Sequence, residues 1–267
     1  MMVWRLVVAC LMVAAAGAEA EEKSWPTLEL GVGGYISSFG SDLRLDSELG
    51  ERGSDIDLED RLDLEEDLTE LRVDLRYRFR PRHRFDLAYY DISRKGESVT
   101  NEVLQIGDRE FDLGVSLQTD LNFKVYKFAY AWSFVHDEVT DVSVSVGLHA
   151  MDVEFSTTGQ VLGTLEVETE SADQIFPLPV LGLHASRRLG ERVTLNLDGQ
   201  YFGIKINDVK GSLADLSASV DWQAANNLAV FVGYNWVDFD VDSEDDDLPG
   251  SVEYQYSALV AGIKLLL

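Results

Sequence analysis

The sequence predicts an all-β chain closed into an antiparallel up-and-down barrel of about ten strands. Three observations carry the prediction. Apolar and polar residues alternate with period two in one segment after another, the connections between those segments are short and long by turns, and helical periodicity is nearly absent. Composition bounds the rest. The 267 residues carry 48 Asp and Glu against 22 Lys and Arg, a formal net charge of -26, which repels phosphate and excludes nucleic acid as a partner class. Hydrophobic residues make up 46% of the chain, too many for an acidic disordered segment. The single cysteine, Cys10, lies in the first apolar run, so the chain beyond that run has no disulfide framework, thiolate metal site or cysteine nucleophile.

Residues 1–20 read as a cleaved export signal. Arg5 gives a basic start, Leu6 to Gly17 form a twelve-residue apolar run, and Ala18-Glu19-Ala20 supplies the small-x-small cleavage pattern. The run is shorter than the ~20 apolar residues of a membrane helix. A lipoprotein signal ending at Cys10 would have almost no apolar run before the cysteine. Cleavage after Ala20 leaves 267 − 20 = 247 residues, and 21–267 are expected to form one barrel domain.

Ten segments carry the alternation. The first covers 27–38. The second, 69–80, alternates Leu71, Val73, Leu75, Tyr77 and Phe79 with Arg72, Asp74, Arg76, Arg78 and Arg80. After 84–93 and 120–135 comes 141–154, where Val142, Val144, Val146 and Leu148 alternate with Ser143, Ser145, Gly147 and His149. Segments 177–187 and 193–206 lead to 212–223, in which Leu216, Ala218, Val220 and Trp222 alternate with Asp215, Ser217, Ser219 and Asp221. Then 228–239 places Leu228, Val230, Val232, Tyr234 and Trp236 on one face. The last segment, 253–267, does the same with Leu259, Ala261, Ile263, Leu265 and Leu267. Turns at 81–83, 136–140, 188–192 and 224–227 are short. The connections 39–68, 94–119, 155–176 and 240–252 read as long polar loops, with a flap at 94–119.

Alternation does not say which face is wet, and a soluble lipocalin-like barrel has the same period. Three features place lipid outside. Aromatics sit near the ends of the apolar rows (Phe79, Phe85, Trp132, Phe134, Trp222, Trp236), as interfacial girdles do. The opposite face is rich in Gly, Ala and Ser, which suits a narrow lumen. The chain also ends inside a strand, which can close on the first and leave no edge. Short turns on one side and long loops on the other are the layout of a transmembrane barrel in a bacterial outer membrane.

The stretches 56–60, 76–84 and 177–183, together with Gly233-Tyr234-Asn235-Trp236 and the closing strand, resemble Gram-negative outer-membrane β-barrel proteins of a family without assigned function. Leu267 departs from the terminal aromatic usual in such closing strands. The resemblance implies outer-membrane lipid and lipopolysaccharide as surroundings and the barrel-assembly machinery as the partner during biogenesis. It does not indicate an oligomeric state.

The face opposite the apolar rows carries both signs of charge, among them Glu29, Arg72, Asp74, Arg76, Arg78, Asp86, His149 and His184. Ten strands enclose an interior that side chains can largely fill, so a salt-bridged polar plug is expected, with a narrow solute channel as the alternative. Motifs for serine hydrolases of the GxSxG kind, HExxH metalloproteases and P-loops are missing from the sequence. Two kinds of envelope enzyme share part of their pattern with the chain. His184 and Ser186 with Asp198 resemble the His-x-Ser and carboxylate arrangement of lipid A deacylases, in which an activated serine attacks an acyl ester. With the turn centred near Gly190, however, His184 faces Asn196, and the acid of that family is Glu. An omptin-like protease needs a His–Asp couple at the outer rim, where only His149 with Asp152 comes near. A structural or surface-interaction role is therefore expected.

The acidic loops are the remaining feature. Residues 42–70 hold thirteen acidic residues and three Arg, and Asp238, Asp240, Asp242, Glu244, Asp245, Asp246 and Asp247 form a second cluster. No cofactor is expected beyond loosely held Ca²⁺ or Mg²⁺, with Asp240, Asp242, Asp245 and Asp246 as candidate ligands. A plain solvated face is the simpler reading.

Overall fold

A computed structural model describes residues 25–47, 52–101, 103–112, 114–161, 167–206, 209–243 and 250–267. The proposed signal residues 1–20 lie outside the described residues. Ten long strands form the wall: β1 (Leu28–Leu45), β3 (Asp67–Arg80), β4 (His83–Val99), β7 (Val115–His136), β8 (Thr140–Val161), β9 (Val167–Arg188), β10 (Val193–Ile206), β11 (Val209–Ala225), β12 (Leu228–Ser243) and β13 (Gly250–Leu266). Each pairs antiparallel with its neighbours, and β1 closes on β13 with Ile36 opposite Leu259 and Glu29 opposite Leu266. No helix is long and apolar enough to cross a membrane among the described residues.

All ten expected strands are present, but most reach well past the expected boundaries at the end away from the short turns. β7, β8 and β9 have 22 residues each, about twice the ~9–11 a tilted membrane strand needs. The cause is an inversion of side-chain polarity partway up the wall. On the lower part of β7, Tyr126, Phe128 and Trp132 point out while Lys127, Ala129, Ala131 and Ser133 point in. Above Val125 the sense reverses, with Leu117, Leu121 and Phe123 buried inside and Gln118, Asp120 and Lys124 outside. β8 inverts between His149 and Met151, β12 between Trp236 and Asp238, and β13 between Ser257 and Leu259. The lower zone thus wears its apolar residues outside, as a lipid-facing wall does. The upper zone keeps them inside, as a water-soluble barrel does.

The upper interior is a closed core. Tyr35, Phe39, Leu43, Phe123, Phe155, Phe239, Tyr254 and Tyr256 line it, and Phe123 packs on Tyr254 with ring centroids 4.6 Å apart. Two chain segments read as loop from the sequence complete it. The first holds the two-residue strand β2 (Ile56–Asp57) and helix α1 (Leu58–Leu62), and it fills the wall between the tops of β1 and β4, where β3 is missing because its pairing with β4 starts only at Arg72–Tyr90. Asp57 caps α1 by accepting from the Asp60 amide at 2.8 Å, while Ile56, Leu58, Leu62 and Leu64 point into the core. Gly96 of β4 makes the fit possible, since a Cβ there would collide with the Leu62 carbonyl. The second segment is the hairpin β5 (Leu104–Ile106) and β6 (Arg109–Phe111), which buries Leu104, Ile106 and Phe111. It is tied to the end of β1 by the Gly107 amide on the Leu45 carbonyl at 3.0 Å. The expected flap thus occupies only residues 100–114.

Candidate functional site

The lower interior carries the charged side chains, because the inward rows of β3, β4, β8, β10, β11 and β13 are polar there. Asp141 at the base of β8 is the first node. Arg84 Nη1 donates to its Oδ1 at 3.0 Å, Ser133 Oγ donates at 3.0 Å, His136 Nδ1 lies 2.6 Å from its Oδ2 and Arg78 Nη1 lies 3.2 Å away. Arg78 and Arg84 stand directly opposite each other on β3 and β4, a like-charge pair that would be destabilising without the carboxylate between them. Arg76 forms the second node. Its Nε donates to Asp86 at 2.9 Å, while Glu29 and Asp198 lie 3.9 Å from its two terminal nitrogens. Higher up, Arg72 bonds Asp74 and the Tyr35 hydroxyl and lies 5.7 Å from the Tyr90 ring centroid. Lys127 bonds Asp215, which also accepts from Asn235 at 2.9 Å. Between these groups is a cavity of about 180 Å³, lined by Glu29, Arg76, His149, Asp198, Asp215 and Lys264 among others.

The expected lumen residues Glu29, Arg72, Asp74, Arg76, Arg78, Asp86, His149 and His184 all face this interior. His149 bonds the Gln200 side chain. Arg84 and Asp141 were missed by sequence reasoning. The inward parity of Arg84 on β4 and of Asp141 on β8 was the available signal, and both lie beside turns, where charge reads as solvated.

The His184, Ser186 and Asp198 group is rearranged relative to the sequence expectation. His184 stands directly opposite Asp198, and Asn196 opposite Ser186. The turn bonds the Leu189 amide to the Val193 carbonyl at 2.7 Å, which centres the hairpin one residue later than Gly190 and moves each partner by two. His184 Nδ1 therefore lies 2.6 Å from Asp198 Oδ1, and Ser186 Oγ donates to Asn196 at 2.8 Å instead of to His184. The hydroxyl that meets His184 Nε2, at 2.7 Å, belongs to Ser145. An Asp–His–Ser chain has the connectivity of a nucleophilic triad. Ser145 is tucked against β9, however, so closely that a Cβ on Gly182 would collide with its Oγ. It does not line the cavity. The chain serves to fix the imidazole.

At the far end the acidic residues sit on the outer face of strands. Asp57, Asp42, Glu253 and Asp240 form one row across β2, β1, β13 and β12, each directly opposite the next. Burial and the charges of Asp57, Glu59 and Asp55 raise the Asp42 carboxyl above its ordinary value of 3.8. Burial and the charges of Asp242 and Asp238 do the same for Asp240. Asp242 lies 3.6 Å from Arg44 and 3.7 Å from Lys210. Asp245 and Asp246 fall outside the described residues. Among the described residues no three His, Cys, Asp or Glu side chains converge as metal ligands.

The structure is similar to the outer membrane protease OmpT from Escherichia coli, with a TM-score of 0.62 at 12% identity over 90% of this chain and 96% of that one. It is also similar to the translocator domain of the autotransporter NalP from Neisseria meningitidis, with a TM-score of 0.50 at 10% identity over 99% of this chain and 94% of that one. The fold is that of a Gram-negative outer-membrane β-barrel. At these identities the likeness extends to the fold alone. No protein-family model and no curated protein matches the chain.

Proposed function

We propose that the chain is an integral protein of the bacterial outer membrane that passes no solute and acts through the folded, acidic head its strands raise above the lipid. One observation carries the reading: the interior is filled at two levels by different means. Charged residues bridge the lumen in the lipid-facing zone, and an apolar core roofed by residues 104–111 fills the zone above. A conducting barrel needs a continuous wet path, and the upper core is apolar apart from the buried Arg94–Glu59 pair, whose groups are taken up by each other, by Ser41 and by the Glu65 carbonyl. The head is the part left to meet a partner outside the cell, and its outer face is acidic. Outer-leaflet lipopolysaccharide is the neighbour of the apolar band below it. The experiment is planar-bilayer recording of the purified, refolded protein. Incorporation is expected to give no steady current above background, and large steady porin-like currents would overturn the reading.

A further inference from the structure

Among the described residues two seams of the wall lose their ladder in the upper zone: β3–β4 above Arg72–Tyr90, where the segment of β2 and α1 fills the space, and β9–β10. β9 pairs with β8 along nearly its whole length, from Gln160–Val167 to Thr140–Arg187. With β10 it pairs only between Leu181–Tyr201 and Arg188–Thr194. Above Leu181, β9 has no ladder partner on that side among the described residues, and β10 continues upward paired to β11 alone. The sequence supplies the cause. Pro177 and Pro179 stand just above the last pair, and proline has no N–H to extend a ladder, which is why it is confined to sheet edges. Edge strands elsewhere are blunted by charge, whereas residues 175–183 of β9 carry none.

The seam is also where the two apolar zones overlap. On β7, β8, β12 and β13 the outer face turns polar as the inner face turns apolar. On β9 both faces are apolar over the same stretch: Ile175, Leu181 and Leu183 point outward and are exposed, and Phe176, Leu178 and Val180 point inward. Phe202, the first β10 residue above the split, is buried inside, and Phe176 packs edge-on against Phe239 at 6.0 Å. Apolar side chains thus line the way from the lipid-facing band, past the unpaired seam, to the upper core, with Leu178, Val180 and Phe202 buried. Leu181 at 70% and Tyr201 at 62% exposure flank the foot of the slot.

We infer that the β9–β10 seam is a lateral slot that takes an acyl chain of a surrounding bilayer lipid. The chemistry of the lining selects that occupant. It offers hydrocarbon on both faces and no charge, and its foot at Leu181 and Tyr201 lies at the level of the apolar band, where acyl chains are the molecules at hand. An acyl chain entering the seam passes from hydrocarbon to hydrocarbon, so the gain lies in dispersion packing against both faces of the seam rather than in area withdrawn from water.

The test is photo-crosslinking in bilayers doped with a phospholipid bearing a diazirine midway along one acyl chain, followed by peptide mapping. Crosslinks are expected on the inward residues Phe176 and Phe202 as well as on outward Leu197 and Val232. The variant Val180→Cys with Phe202→Cys adds a disulfide at the next position in register. When oxidised it should lower the crosslink at Phe176 at least tenfold and leave Leu197 and Val232 unchanged, with recovery on reduction. A second variant, Pro177→Val with Pro179→Val, restores the missing donors and should lower the crosslinks at Phe176 and Phe202 without any disulfide. Inward labelling no greater than that of Ala129 and Ala131 in the charged zone would overturn the slot. So would inward labelling that neither closure reduces. Labelling at Leu197 and Val232 reports membrane insertion separately, so failure of the slot is distinguishable from failure of the membrane reading.

Discussion

Arg94 bolts the head shut, and its removal has a calculable consequence. The side chain is fully buried. Nε donates to the Glu65 carbonyl at 2.8 Å, Nη1 donates to Ser41 Oγ at 2.6 Å, Nη2 bonds Glu59, and the guanidinium sits 4.9 Å from the Phe39 ring centroid. Glu59 is itself only 8% exposed. Arg94→Met keeps most of the stem volume but leaves Glu59 with Ser41 alone as donor, through its amide at 2.9 Å and hydroxyl at 2.7 Å. Removing one partner of a buried ion pair costs about 3–5 kcal/mol. The segment around α1 can swing out to rehydrate Glu59, which favours the lower bound, and about 3 kcal/mol is a roughly hundredfold rise in local opening. Hydrogen exchange reads this directly. The amides of Phe39 and Glu65, which bond the Glu66 and Lys95 carbonyls at 3.1 Å each, should exchange about a hundredfold faster, while amides of the lipid-facing part of β8 stay as they were. Adding Glu59→Gln should recover much of the protection. Unchanged exchange at Phe39 and Glu65, or equal loss along the whole barrel, would refute the reasoning. The pH dependence has the same origin. Burial raises the Glu59 carboxyl, but hydrogen bonds from Ser41 and Arg94 outweigh it and hold the group below its ordinary value of 4.5. Its stabilisation is therefore present above pH 4.5 and lost as pH falls through the lower folded value. Acid should loosen the same two amides in the wild type but not in Glu59→Gln.

The row of facing carboxylates makes Asp240→Asn stabilising at neutral pH, by about 0.2–1 kcal/mol as for other cross-strand pairs. Because the folded Asp240 value is raised, the advantage should vanish in thermal melts below pH 3.8, where both forms are neutral, and a destabilised variant at pH 7 would contradict it. Arg72→Ala with Arg76→Ala empties part of the lower plug but leaves the apolar core above intact, so bilayer recordings of this variant should stay silent. Steady channels from it would show that the charged network alone closes the lumen.

The sequence made the lower zone legible because most strands there hold one phase of alternation throughout, and the closure of the last strand on the first follows from it. The upper zone was hidden by the polarity inversion. Across Lys124, Val125 and Tyr126 the apolar row steps from odd to even positions, and a period-two reading takes such a phase slip for the end of a strand. The short elements β2, α1, β5 and β6 depend on tertiary packing against Phe39, Leu43 and Leu117, which no local pattern announces. For the site, face parity is the signal that groups the inward charges, but partner identity depends on turn register. A shift of one residue in the 189–192 turn exchanged Asn196 for Asp198 opposite His184. Ser145, two strands away in sequence order from Asp198, had no local signal.

The two-zone wall is the central claim, and cysteine accessibility along β7 tests it most directly. The native chain has Cys10 alone, within the proposed signal, so single cysteines in the protein lacking residues 1–20 can be read without background. In lipid bilayers, a membrane-impermeant maleimide should react fully at Gln118→Cys, Asn122→Cys and Lys124→Cys, and at least tenfold more slowly at Phe128→Cys and Tyr130→Cys. Protection of positions 122 and 124 to the same degree as 128, or free reaction at 128, would contradict a wall that leaves the lipid between Lys124 and Tyr126.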